Sequence, residues 1–205
     1  MISHALTIVA NELHKHLTDN YNMSSEDPSV KLGNLAEGFT GNHDREMLYI
    51  SVVNIKEEKT LKNLPHRVSD SASLRVTYEN PPVFINLLIL ITAAHKDYTN
   101  ALLMLSRAIL FFQCNNVITQ DNVDPESISK DEPLNTLDRL ESFKLIFDLY
   151  SPSMEEVNHL WGTLGGKQYP FVLYKLRMLD LQFKSVQGQG GVVEEVITNF
   201  SHKTE

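Results

Sequence analysis

Apolar positions along this chain recur at two different periods, and the switch between them marks out the elements. Ile2, Leu6, Val9, Leu13 and Leu17 come at steps of three or four, with Asn11, Glu12, Lys15 and His16 largely off that stripe. This spacing predicts an amphipathic helix, with Ser3 placed to cap it. The polar stretch 21–45, broken by Pro28, Gly33, Gly38 and Gly41, predicts loop with a short strand at Val30-Lys31-Leu32. Residues Met47 to Ile55 are dense in Tyr, Ile and Val and predict a strand buried on both faces. Lys56 to Tyr78 is charged, carries Pro65 and reads as a long hairpin excursion from the core.

Pro81-Pro82 opens the strongest strand signal, Val83 to Ala94. Val83, Ile85, Leu87, Ile89 and Ile91 line one face; Phe84, Leu88 and Leu90 line the other, with Asn86 among them. A strand apolar on both sides belongs in the middle of a sheet covered by helices. Asp97 can cap the next helix, whose expected buried stripe is Tyr98, Ala101, Leu102, Leu105, Ile109 and Phe112. Val117 to Thr119 suits a short edge strand, and 121–141 reads as an acidic loop. Phe143, Leu145, Phe147 and Leu149 alternate with Ser142, Lys144 and Asp148, a strand pattern.

Ser153 and Glu156 have the spacing of a capping box, opening a helix expected to bury Met154, Val157, Leu160, Trp161 and Leu164. Gly165-Gly166 stop that helix, and Phe171 to Phe183 predicts a last long strand. Gly188 to Gly191 reads as a hinge before an arm in which Val192, Val193, Val196, Ile197 and Phe200 form a narrow apolar stripe at helical spacing. The expected fold is therefore α+β: a mixed, mostly antiparallel sheet with packed helices, one domain over 1–187 and a glycine-hinged arm over 188–205. The arm's stripe is the candidate interface. It can dock on a neighbouring subunit or on its own domain.

Composition narrows what such a fold can do. The 205 residues carry a formal net charge of -8. This balance disfavours nucleic acid or an anionic membrane as the main partner, because each attracts a basic surface. No run of about 18 uncharged apolar residues is present, so no membrane insertion is expected. Met1 to Ala10 places no basic residue before its apolar positions and does not read as a signal peptide. The single cysteine, Cys114, excludes an intramolecular disulfide and fits a reducing compartment.

The motifs that carry chemistry are missing from the pattern. Gly188-Gln189-Gly190-Gly191 has no lysine and no strand-to-helix context, so it is not a phosphate loop. No serine lies in a nucleophile elbow, and no basic residue neighbours Cys114 in sequence to lower its pKa. His14 and His16 are two residues apart and point to different sides of a helix. The other histidines are scattered, whereas metal sites want clustered ligands. Trp161 on a capped amphipathic helix fits a core role. The chain is accordingly read as a non-enzymatic assembly subunit without cofactor or metal.

Three stretches together resemble a known family. They are Ile2-Ser3-His4-Ala5-Leu6 with Asn11-Glu12-Leu13; Ser51 to Asn63 followed by Asn80-Pro81-Pro82-Val83-Phe84-Ile85-Asn86-Leu87; and Leu160-Trp161-Gly162-Thr163-Leu164-Gly165-Gly166-Lys167 followed by Pro170 to Met178. The combination resembles the tail-terminator, or cap, protein of phage-tail-like contractile injection systems of the antifeeding prophage and Photorhabdus virulence cassette type. The resemblance runs from Ile2 to about Phe183. It implies a phage tail-terminator-like fold. It also implies a hexameric ring of this chain on the baseplate-distal end, which stops polymerisation and joins the inner tube protein to the sheath protein. Assembly would take place in the bacterial cytoplasm, the cap then being part of the particle. It supplies no catalytic or ligand residue and says nothing of the arm. The competing readings are a baseplate or adaptor subunit, or an assembly chaperone, of the same kind of particle, and an enzyme of a different class whose site would be a cleft of convergent polar groups.

Overall fold

The computed structural model describes residues 1–22, 29–35, 46–61, 67–70, 75–140, 142–181 and 186–191. Among these residues the α-helices are α1 (Ile2–Tyr21), α2 (Tyr98–Cys114), α3 (Pro125–Ser129) and α4 (Met154–Thr163). The strands are β1 (Val30–Leu32), β2 (Glu46–Glu57), β3 (Arg67–Asp70), β4 (Arg75–Glu79), β5 (Val83–His95), β6 (Val117–Thr119), β7 (Lys144–Tyr150), β8 (Phe171–Leu181) and β9 (Val186–Gly191). They form a six-stranded sheet in the order β1-β2-β5-β8-β7-β6 and a three-stranded sheet in the order β3-β4-β9. Among the described residues only β1–β2 is a parallel pair; every other pairing is antiparallel. The α+β, mostly antiparallel class read from the sequence is the class observed.

The central position of β5 follows from its two apolar faces. Leu87, Ile89, Leu90 and Ile91 are all fully buried, with β2 on one side and β8 on the other. Ile85, Leu87, Ile89 and Ile91 face α1 and α2 and join the main core with Ile8, Leu13, Leu17, Phe111 and Phe112. Leu90 and Ala94 face the other way, with Met47, Tyr49 and Leu173, and there Leu160 and Leu164 of the α4 segment cover them in part. Each such side chain contributes roughly 1.5–3 kcal/mol when fully buried. β1 and β6 are the sheet's edges, as expected for β6, and both have three residues, which limits the unpaired ladder they offer.

Several boundaries and faces differ from the sequence reading. The first helix begins at Ile2, so Ser3 lies inside its first turn; Ala5 bonds the carbonyl of Met1 and no side chain caps the end. The acidic stretch contains α3, capped by the Asp124 side chain accepting from the Glu126 N–H at 2.8 Å. The Ser153–Glu156 capping box is present in both directions, but Met154 is 76% exposed, and Trp161 is the one fully buried side chain of α4. Trp161 packs against Phe171 at a ring separation of 5.3 Å, so its core assignment holds. The helix ends at Gly165 and Gly166, whose φ values of 94° and 77° a side chain would strain.

The excursion after β2 is a hairpin, β3–β4, and β9 adds a third strand to it. Gly188, Gly190 and Gly191 lie opposite Tyr78, Val76 and Arg75. Where the sequence reads a hinge, therefore, the backbone is in a ladder. Main-chain pairing needs no side chain, so glycine does not prevent it. The candidate interface residues Val192, Val193, Val196, Ile197 and Phe200 lie outside the described residues.

Candidate functional site

Two shallow depressions gather polar side chains. One, about 480 Å³, is lined by Thr119, Gln120, Asp121, Ser142, Phe143, Lys144 and Ile146. The other, about 250 Å³, lies between α1 and α3 and includes Asn11, His14, Lys15 and Asp124. The polar groups of the second are engaged structurally. Asn11 Nδ2 donates to the carbonyls of Ser127 and Lys130, both at 3.1 Å, and His14 Nδ1 lies 2.7 Å from the Ser29 hydroxyl. Lys15 Nζ pairs with Asp124. That pairing raises the lysine pKa and, together with the Glu126 N–H, lowers the aspartate. This depression is a seam that fastens α3 to α1.

The buried His4 has the same kind of role. The Leu140 N–H donates to its Nδ1 at 2.9 Å, so the proton sits on Nε2, which donates to the Ile128 carbonyl at 3.0 Å. Among the described residues no group of three or more His, Cys, Asp or Glu comes together. On the opposite face of the sheet, Glu58 accepts from Asn86 Nδ2 at 2.8 Å and from the Thr60 hydroxyl at 2.7 Å. Those bonds, that from Asn86 first, hold its carboxyl down to about 2. They tie the start of the hairpin excursion to β5, which gives the buried Asn86 amide a partner and accounts for a polar residue in an apolar strand.

The feature without such an account is the outward face of α2. Asp97 caps the helix, its side chain accepting from the Thr99 N–H. Ala101, Met104, Leu105, Ala108, Phe111 and Phe112 are the buried residues. The stripe expected from spacing is thus rotated: Tyr98 is 66% and Leu102 42% exposed, and Ile109 is half-buried. Leu103 and Leu110 are about half exposed as well. Of the seventeen residues of α2 only Arg107 is charged, and its guanidinium lies over the Tyr21 ring, 4.3 Å from the centroid. A surface helix normally turns charge to water, and one apolar all round is normally buried.

The centre of that face is shaped. Ser106 sits between Leu102 and Leu110, four residues either way, and between Leu103 and Ile109, three either way. These are its surface neighbours on a helix. Its hydroxyl donates back to the Leu102 carbonyl at 2.8 Å. The result is a small residue ringed by four larger apolar ones, a hole of the kind that accepts one side chain of a second helix. The signal for this face was readable in the sequence as a helix with a single charge. Assigning Leu102 and Ile109 to the buried stripe hid it.

A family model described as the Pvc16 N-terminal domain matches residues 4–195. Among solved structures, the chain is similar to the PVC sheath/tube terminator of an extracellular contractile injection system in its extended state. The TM-score is 0.63 and the identity 16%, over 100% of this chain and 64% of that one. It is also similar to the tube-terminating cap of the anti-feeding prophage, with a TM-score of 0.55 and 15% identity over 94% of this chain and 60% of that one. The chain thus spans less than two thirds of either relative, and at these identities the likeness establishes the fold. No curated protein sequence matches the chain.

Proposed function

We propose that this chain, which belongs to the Pvc16 N-terminal domain family, is a structural terminator of a contractile injection particle. It acts by binding, not by catalysis. Copies form a sixfold ring on the end distal to the baseplate, stop polymerisation of the inner tube and sheath, and join the two there. The observation that carries this reading is the match of the whole described fold to a protein named as a sheath/tube terminator. The charge-free outward face of α2 supports it independently, because a subunit that works in an assembly needs apolar surface that solvent alone does not cover. The acidic balance of -8 suits protein partners in place of nucleic acid. Among the described residues no helix is long and apolar enough to cross a membrane. Assembly takes place in the bacterial cytoplasm, after which the chain is part of the particle.

Deletion of the chain tests this. Electron micrographs of particles from a deletion strain should show overlong or unstable tubes and sheaths. Particles of normal length and stability would overturn the terminator reading, and a ring of other than sixfold symmetry would overturn the hexamer.

A further inference from the structure

We infer that the turn 131–138 of one copy of this chain docks on the β6–β7 edge of the next copy, Leu134 entering the depression at Ile146 and the turn's carboxylates facing Lys144 and Arg177. The neighbouring copy is what the terminator reading supplies, and the inference rests on that reading.

Leu134 is 99% and Leu137 61% exposed, yet the backbone that carries them is bonded on both flanks. Asn135 Oδ1 accepts from the Leu137 N–H at 3.0 Å and opens a single 3₁₀ turn, Thr136–Asp138. Arg139 Nε donates to the Pro133 carbonyl at 2.8 Å, and its guanidinium pairs with Glu132 at 2.9 Å. The Leu140 N–H donates to His4 of α1 at 2.9 Å. A loose loop folds its leucines inward. This one is bonded with them outward, so a surface that covers them has little ordering entropy left to overcome. Asp131 and Asp138 flank the two leucines, both exposed and without an ion pair among the described residues.

The receiving surface lies across the sheet. Along β7, Leu145 and Phe147 enter the main core, so Lys144, Ile146 and Asp148 point to the other side. Along β8, Tyr174 and Leu176 enter that core, so Lys175 and Arg177 point away from it. On that outer side of residues 144–148 and 173–177 the cations are Lys144, Lys175 and Arg177, and the anion is Asp148, 2.6 Å from Arg177. Lys144 is exposed and has no ion pair among the described residues. Beside it lies the depression of about 480 Å³, to which Phe143 and Ile146 give apolar lining. Asp121 stands on the same rim, after β6, so the basic side of the hollow is that of β7 and β8.

Two features select a second copy as the occupant. The turn hangs from α1, on the core side of the sheet, and its own chain leaves Leu134 uncovered, whereas Lys144 and Ile146 point to the opposite side. An acidic turn with an apolar tip and a basic rim beside an apolar hollow are also complementary in charge and in hydropathy. Because the two patches are distinct, copies that join them meet head to tail, the contact that can close into a ring; a patch that paired with itself would stop at a dimer.

The test uses assembled particles in a Cys114→Ser background. Thr136→Cys, on the turn, and Thr119→Cys, on the depression's lining, are introduced together, and a short bifunctional maleimide is applied. The expected result is a ladder of chain-to-chain conjugates in denaturing gels that neither single cysteine gives. Leu134→Ala should lower the ladder's yield about tenfold, since it removes the side chain to be buried, and leave the melting of the isolated chain unchanged. Asp138→Lys should lower it by about tenfold as well, by setting like charges together, whether the chain stays on the particle or is lost from it. Adding Lys144→Glu to Asp138→Lys should restore it, because every copy then carries both halves of the exchanged pair. Circular dichroism melting checks that each variant folds. Conjugates confined to single chains, no ladder in particles that carry the chain, or no restoration by the second charge change overturn the inference and leave the terminator reading intact; the last two would point to a tube or sheath subunit as the occupant. Particles of normal length lacking this chain altogether would instead overturn that reading.

Discussion

α1 and α2 lie on the same face of the same sheet, and they are finished in opposite ways. The inner stripes are alike: Ile8, Leu13 and Leu17 from α1, and Met104, Phe111 and Phe112 from α2, enter one core. On the side turned to the α3 segment α1 carries the buried His4 with Asn11, Glu12 and Lys15, and each bonds that segment. The outer side of α1 is thus closed within the chain. α2 has no such bonded stripe; its exposed positions mix Tyr98, Leu102, Leu103 and Leu110 with the uncharged polar Thr99, Asn100, Ser106 and Gln113, and the Ser106 hydroxyl bonds its own backbone. One outer side is bonded to another segment of the chain and the other leaves Leu102, Leu103 and Leu110 exposed, and the difference lies in residue type along the two helices.

The comparison can be broken most directly by truncating a leucine on each helix. Leu13 is fully buried, and Leu13→Ala should reduce stability by about 2–5 kcal/mol, read by denaturant unfolding of the purified chain. Leu103, 48% exposed, should change it by less than about 0.5 kcal/mol when made alanine. The same Leu103→Ala should nonetheless reduce the amount of chain retained on particles. Equal losses of stability from the two would mean that α2 is closed in the monomer after all. A smaller effect is expected at Asn11, whose amide spans two carbonyls of the α3 segment. Asn11→Ala should cost about 1–2 kcal/mol and loosen α3 specifically, measured as faster amide exchange in 125–130. Asp97→Ala removes the N-cap of α2 and should cost about 1 kcal/mol, again in unfolding, without altering the outward face.

What the sequence makes legible here is what side chains decide locally. β5 can be read as central because both its faces are apolar, and the Ser153–Glu156 box and the Asp97 cap can be read because capping is a contact over two or three residues. The orientation of α2 is not legible for the same reason that makes the helix interesting. The outward line is marked only by the uncharged Thr99, Ser106 and Gln113, and with Leu102, Leu103 and Leu110 beside them the period is weak, so Leu102 and Ile109 look as fit for the core as Met104 and Ala108. β9 is hidden because glycine gives no alternation to read, although its backbone pairs as well as any. α3 is hidden because five residues are too few to form a helix alone; the polar stripe of α1 holds it. As for the candidate site, the exposure of Leu102, Leu103 and Leu110 appears only once α2 is seated on the sheet.

The smallest effect concerns the ion pair that closes the outer side of α1. Lys15 and Asp124 pair at the surface, and the pairing raises the lysine pKa above 10.5 and lowers the aspartate below 3.8. The two shifts give opposite pH limbs. Asp124, depressed on folding, contributes stability that is fully present above 3.8 and is lost as pH falls through its lower folded value. Lys15, raised on folding, contributes stability present below 10.5 that is lost as pH rises through its higher folded value. Between these limits the contribution is flat. Both groups face water, so the pair is also screened, with a Debye length near 3 Å at about 1 M salt. Lys15→Ala should therefore speed amide exchange in α3 slightly at neutral pH and low salt, and hardly at all in 1 M salt or below the aspartate's folded pKa. Were 1 M salt instead to leave the effect of Lys15→Ala on α3 exchange unchanged, charge would not be what fastens α3 to α1 at this pair, and the carbonyl bonds of Asn11 would have to carry the seam.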